Sequence, residues 1–240
     1  AIGTNYFDNS VNSSSIKGGE GSTGADAQAS AVYGRYSELR IEAKELSITA
    51  IGGKGGNGGS VYGDGGDAGV GGAATAYGLA LQGGTAVVEL SKINTQALGG
   101  AGGDGGDGGL YGNNGSGGNG SDGGAATAYG INISEAAQLT VTLDSLIVDA
   151  QGGAVGAAGI GHGTGVNGAA GTKFGTATAY GIYAVGGSQL ALHATNSAID
   201  IGVSATGDSA SSAYSLYASG DSKVLFGSDV NLDLDKTLVK

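Results

Sequence analysis

The phrase Ala-Thr-Ala-Tyr-Gly occurs three times, ending at Gly78, Gly130 and Gly181. A shorter copy, Ala-Val-Tyr-Gly, ends at Gly34, and a fainter one surrounds Tyr214. The marker tyrosines are thus Tyr33, Tyr77, Tyr129, Tyr180 and Tyr214, at spacings of 44, 52, 51 and 34 residues. A core phrase that persists while the distance between copies varies predicts stacked repeats with loops of variable length.

Each phrase opens a block of three short strand-like runs. In the second block these are Ala73–Leu81, Thr85–Leu90 and Ile93–Leu98; in the third, Ala125–Ile133, Gln138–Leu143 and Leu146–Ala150. The middle run alternates with a period of two. Leu139, Val141 and Leu143 take one face, and Gln138, Thr140 and Thr142 the other. Leu39 and Ile41 repeat this in the first block, and Leu190 and Leu192 in the fourth, against Gln189 and His193. Such alternation buries one face of a strand. The closing runs agree: Leu46, Ile48 and Ala50 match Ile93, Thr95 and Ala97, then Leu146, Val148 and Ala150. Ile199, Ile201 and Val203 follow, and Val230, Leu232 and Leu234 close the series. Helical periodicity is missing. Three strands per block with one inward face each predict an all-β fold, a right-handed parallel β-helix, with strands of successive blocks about 4.8 Å apart. Leu139, Val141, Leu143, Leu190 and Leu192 are its expected interior.

The first run is harder to orient. Thr75, Tyr77, Leu79 and Leu81 share one face by alternation, and Ala74, Ala76, Gly78 and Ala80 the other. Asn132 on the small face favours tyrosine inside, whereas Arg35 on the tyrosine face disfavours it. The tyrosine face is expected to be covered, by the interior or by glycine-rich segments. A repeated aromatic is more often packing than a binding platform.

Between blocks lie glycine-rich inserts, at Gly52–Gly72, Gly99–Gly124 and Gly152–Gly175, with a short one at Lys17–Asp26. The chain has 54 glycines and no proline, which excludes collagen. The first two inserts contain strict Gly-Gly-X stretches around a central pair, Val61-Tyr62 or Leu110-Tyr111. A period of three fits an extended triplet helix with polyproline II geometry. Such a chain has no internal hydrogen bonds, so its amides must find neighbours. The inserts are therefore expected to run out, turn at the tyrosine pair, return, and pack on inserts of adjacent repeats. Lys54, Asn57, Asp104 and Asp107 would face solvent. The organisation expected is an N-terminal segment, residues 1–27, with the short insert, then β-helical repeats over 28–240.

The chain carries 10 basic and 21 acidic residues, a net charge of -11, without a basic cluster. Nucleic acid is excluded as a partner, and so is an anionic membrane surface. No window resembles a transmembrane helix or a signal peptide. The absence of cysteine removes disulfides, thiolate catalysis and thiolate metal sites.

No concentrated chemistry emerges. His162 and His193 lack a metal-ligand spacing, no serine sits in a nucleophile elbow, and the GxGxxG-like matches lack a strand–turn–helix setting. Asp64 with Asp67, and Asp104 with Asp107, resemble calcium-binding nonapeptide repeats but lack the apolar position. Two close carboxylates could hold a calcium ion with backbone carbonyls, yet solvated acidic decoration is the better reading. Glu42, Glu89, Asp149 and Asp200 are the outward acids that a glycan-cleaving β-helix would need, and each reads as a solubilising surface charge. Asn231, Asp233 and Asp235 form a polar row that keeps the last outer face wet. Thr75, Thr127 and Thr178 make a single row, too little for ice binding. No catalytic, cofactor or metal residue is assigned, and no cofactor is expected.

AATAYG at 73–78 and 125–130, TATAYG at 176–181 and the Leu/Val/Ile ladders after them resemble passenger regions of bacterial autotransporter-type and related large surface adhesins. The long Gly-Gly-X inserts depart from compact passenger coils and are closer to glycine-rich mycobacterial surface proteins. The resemblance implies a secreted or cell-surface, non-catalytic region of a larger protein, with adhesive or biofilm-matrix roles. Its implied partners are a host-cell or matrix protein or glycan, or like subunits. A passive stalk or filament subunit is the competing reading.

Overall fold

A computed structural model describes residues 17–196 and 198–227, with the backbone of two further short strands at 231–233 and 238–239. The first block forms β1 (Ala27–Glu42) and β2 (Glu45–Ile51), and the second forms β3 (Ala74–Glu89) and β4 (Lys92–Leu98). The third contributes β5 (Ala126–Ser134), β6 (Gln138–Thr142) and β7 (Ser145–Gln151). The fourth contributes β8 (Ala177–Ala184), β9 (Gln189–His193) and β10 (Ala198–Thr206). Then follow β11 (Ser212–Ala218), β12 (Lys223–Phe226), β13 (Asn231–Asp233) and β14 (Leu238–Val239). The fold is all-β, and every strand pairing is parallel. One eight-stranded sheet runs β11-β8-β5-β3-β6-β9-β12 with β1 beside β3. A six-stranded sheet runs β13-β10-β7-β4-β2 with β14 beside β10.

Each strand pairs with its equivalent in the next repeat. Leu139 lies between Ala86 and Leu190, Val141 between Val88 and Leu192, and Leu146 between Ile93 and Ile201. Leu139, Val141, Leu143, Leu190 and Leu192 are all buried, and they share one core with Ile93, Val148, Ile199 and Ile201 of the facing sheet. The period-two alternation thus places its apolar face as expected. Burial of a full Leu or Ile side chain contributes about 1.5–3 kcal/mol, so each repeat adds a layer that its neighbours complete. The side chains of Val230, Leu232 and Leu234, and those of Asn231, Asp233 and Asp235, lie outside the described residues.

The first run differs from the alternation expected of it. Ala74 and Ala76 point inward, but so do Leu79 and Leu81 beyond Gly78. The register skips this glycine: Tyr77 pairs Tyr129, and the next pair is Leu79 with Ile131. A side chain at 78 would sit 2.6 Å from Ile93 Cγ2 and 2.5 Å from Thr95 Oγ1 of the facing sheet. Glycine lets the two sheets approach there, and the strand changes phase across it. Tyr77 is therefore turned outward, away from the interior that alternation had offered it.

First and second runs meet at a two-residue left-handed corner. It is Gly83–Gly84 in β3, Glu135–Ala136 after β5, Gly186–Gly187 after β8 and Gly220–Asp221 after β11. Glycine adopts positive φ without the roughly 1–2 kcal/mol cost that a side chain brings.

Candidate functional site

Register places the tyrosines of successive repeats directly above one another on the outer face. Tyr77, Tyr129, Tyr180 and Tyr214 form a column. Neighbouring centroids are 5.0, 5.1 and 5.1 Å apart and the rings lie within 11° of parallel. Tyr183 and Tyr217 begin a second column, stacked at 5.0 Å. The columns meet edge-to-face, with Tyr180 and Tyr183 4.9 Å apart at 68°. Both geometries suit the ring quadrupole, and each pair is worth about 0.5–1.5 kcal/mol beyond area burial. The cover expected over the tyrosine face is therefore the tyrosines themselves, neither the interior nor the glycine inserts. Tyr77, Tyr129 and Tyr180 are half-buried in this way, whereas Tyr214 at the end of the column is 41% exposed. Loss of water around the rings, then the neighbouring phenols, pushes Tyr129 up to about 12. Burial also raises Tyr77 and Tyr180.

Tyr33 does not belong to the first column. Ser30 pairs Tyr77, and Tyr33 pairs Ala80. Ala80 pairs Asn132, which pairs Tyr183. The second column thus reads Tyr33, Ala80, Asn132, Tyr183, Tyr217. Both columns are interrupted at the same end: by Ser30 in one, and by Ala80 and Asn132 in the other. The gap is a recess of about 240 Å³ with Ala80 and Leu81 at its floor. Tyr33, Tyr77, Gln28, Gln82, Asn132 and Ser134 form its walls.

One edge of the recess is braced. Tyr33 Oη donates to Gln82 Oε1 at 2.9 Å. The Gln82 amide and the Tyr36 hydroxyl both donate to the Glu135 carboxylate. These bonds, Tyr36 first, hold Glu135 below the usual carboxylate range. Gln82 and Tyr33 are thereby fixed, while the Gln28, Asn132 and Ser134 side chains make no hydrogen bond among the described residues.

The inserts form a second assembly beside the sheets. Gly66, Gly69 and Gly72 donate backward to the carbonyls of Gly59, Gly56 and Gly53 within one insert. Gly55 and Gly58 donate to Ala101 and Asp104 of the next insert, and Gly103 and Gly106 donate to Gly69 and Gly66. Bonding faces recur every third residue, so each extended segment joins several neighbours at once. The inserts do run out, turn and return, with Tyr62 and Tyr111 rings 5.4 Å apart at the turns.

The third residues do face solvent, with Lys54 and Asn57 exposed and Asp104 and Asp107 partly so, but the aspartates are structural as well as decorative. Asp64 and Asp67 accept the backbone N–H of Ser116 and Asn119 at 2.8 Å. Asp104 and Asp107 accept those of Ala157 and Ile160 at 2.9 and 2.8 Å. Asn119 and Asp122 pass the pattern on to Ala169 and Thr172. The amides that Gly-Gly bonding leaves over are satisfied by side chains of the preceding insert. Backbone donors lower Asp67, Asp104 and Asp122, each against a smaller desolvation cost. Lys54, 3.2 Å from Asp104, and Lys17, 3.4 Å from Asp67, add exposed ion pairs that are worth little on their own. One oxygen of each carboxylate considered for calcium accepts an amide of the next insert, and no group of three or more His, Asp or Glu that could hold a metal occurs among the described residues.

The remaining candidates are scattered. His162 and His193 are exposed, and His162 exchanges backbone bonds with Gly115. Glu42 and Glu89 are register partners that share Arg40. Asp149 accepts from Gln96 at 3.2 Å and from Ser204 at 2.5 Å. Asp200 lies in β10, in register with Ser145 of β7. Thr75, Thr127 and Thr178 are in register, in one row as expected. No protein-family model, curated protein or solved structure matches the chain.

Proposed function

We propose that the repeats wind as a right-handed parallel β-helix and serve as a non-catalytic extracellular or cell-surface region that mediates attachment or matrix cohesion. The observation that carries this reading is the outward tyrosine column. Four repeats place an aromatic ring at one register position and leave it on the surface rather than in the core. Tyrosine offers large amphipathic contact area at low entropic cost, which suits recognition. Repetition along a wall favours many weak contacts held together. The partner is a host-cell or matrix protein or glycan, or a like subunit.

The hydrogen-bonded insert bundle favours a second reading, a passive stalk that holds other parts away from the surface. The two separate in one experiment. Cells would display the parent protein with or without these repeats, and attachment and biofilm cohesion would be measured. Loss of attachment with normal display of the remainder supports adhesion. Unchanged attachment rejects it in favour of the stalk.

A further inference from the structure

We infer that the recess at Ala80 is a binding site for one uncharged sugar ring of a glycan. The inference rests on the adhesive reading and names its ligand class. The recess lies where one aromatic column lacks a ring at Ser30 and the other at Ala80 and Asn132, and the rings of Tyr33 and Tyr77 are among its lining. Its volume, about 240 Å³, is below the roughly 300–1,000 Å³ of drug-sized sites, which suits a single ring.

The chemistry of the walls selects the class. Tyr33 and Tyr77 contribute aromatic lining, which suits the C–H face of a pyranose. Gln28 and Asn132 each offer an amide donor and acceptor, and Ser134 a hydroxyl, to a ligand whose rim carries hydroxyls that do both. These three groups are uncommitted among the described residues. Gln82, fixed by Tyr33 and Glu135, supplies a rigid wall. An apolar peptide side chain would leave the amides unpaired, a recognised cost. None of the lining residues is charged, which favours a neutral sugar over an anionic one.

Two substitutions test the assignment in the full 240-residue chain. Ala80→Tyr fills the recess with a ring like the one Tyr183 carries at the same register position two repeats on. Asn132→Ala leaves the recess open and removes one amide. Saturation-transfer NMR would be run with methyl glucoside, methyl galactoside, methyl N-acetylglucosaminide, lactose, sialyl-lactose and N-acetyltyrosinamide as separate probes. Transfer to at least one neutral sugar is expected, reduced at least tenfold by Ala80→Tyr and several-fold by Asn132→Ala, with unchanged circular dichroism. No transfer to any neutral sugar, transfer to N-acetyltyrosinamide alone, or equal transfer in the wild type and both variants would overturn the assignment. Attachment of displaying cells separates the levels. If deletion of the repeats abolishes attachment while sugar transfer is absent, the recess assignment fails and the adhesive reading stands. If the recess binds sugar but deletion leaves attachment intact, the assignment stands and the adhesive reading fails.

Discussion

Replacing Thr95 with valine should stabilise the protein. Thr95 is fully buried on β4, in register with Ile48 on one side and Val148 on the other, with Val203 continuing the column. Its hydroxyl has no hydrogen-bond partner among the described residues. A buried polar group without a partner costs about 1–3 kcal/mol. Valine exchanges that hydroxyl for a methyl group of similar size. The pocket is close, since Oγ1 lies 2.5 Å from where a Gly78 side chain would begin, so part of the gain is spent on contact with the Gly78 backbone. The expected net gain is about 1–2 kcal/mol. At roughly 2–4 °C per kcal/mol for a chain of this size, Tm rises by about 2–8 °C. Thr95→Ser is the control. It keeps the hydroxyl, deletes a buried methyl, and should cost about 1 kcal/mol. Urea unfolding followed by circular dichroism gives both numbers. If valine lowers the midpoint, or serine is tolerated better than valine, the hydroxyl has a partner and the reasoning is wrong.

Further tests probe the inserts and the aromatic column. Gly118→Ala puts a methyl group onto the carbonyl oxygen of Gly66 and strains the 2.8 Å bond to Gly106; a cost of about 3 kcal/mol is expected. Asn119→Ala, next to it, removes the side-chain acceptor for Ala169 and a side-chain contact to Asp67 without a backbone clash and should cost about 1 kcal/mol, so thermal melts that reverse this order count against the packed inserts. In acid, the lowered Asp67, Asp104 and Asp122 contribute stability above their unfolded value of 3.8 that is lost as pH falls through their folded values. Urea midpoints should therefore drop below about pH 4, and Asp67→Asn with Asp104→Asn and Asp122→Asn should flatten that slope. In alkali the sign reverses: Tyr129 stays neutral in the fold to about 12 but ionises near 10 when unfolded, so stability falls as pH climbs through that window. Phenolate absorbance should show several late-titrating tyrosines, with Tyr77 and Tyr180 raised beside Tyr129, and Tyr129→Phe should remove the component near 12.

Much of the core was legible because it obeys a simple period. Leu139, Val141 and Leu143 alternate with polar residues, and nothing competes with their burial. The tyrosine face was not, because alternation was carried across Gly78 as though the strand were regular. A glycine inside a strand marks a change of phase, and here it marks where Ile93 and Thr95 press on the opposite sheet. Tyr33 was misplaced for a related reason. Its phrase resembles the later ones, but the register is set by Leu39 and Ile41 against Ala86 and Val88. Counting back from that pair puts Ser30, not Tyr33, opposite Tyr77. The recess follows from that shift, so it could not be found from the phrase alone. The aspartates hid their role because a carboxylate in a glycine-rich loop looks solvated until the amide of the next insert, some fifty residues away in sequence, is placed beside it.

Parallel, in-register pairing of successive repeats underlies every one of these statements, and the absence of cysteine makes it directly testable. Thr127 and Thr178 are register partners on the outer face of β5 and β8. Neighbouring strands lie about 4.8 Å apart, within the roughly 4.4–6.8 Å Cα separation a disulfide accepts. Thr127→Cys with Thr178→Cys should oxidise within the chain to a single species, seen as a loss of two free thiols by mass without dimer formation. Thr127→Cys with Tyr183→Cys, displaced along the strand, should keep both thiols free. A disulfide in the displaced pair, or none in the register pair, would contradict the account.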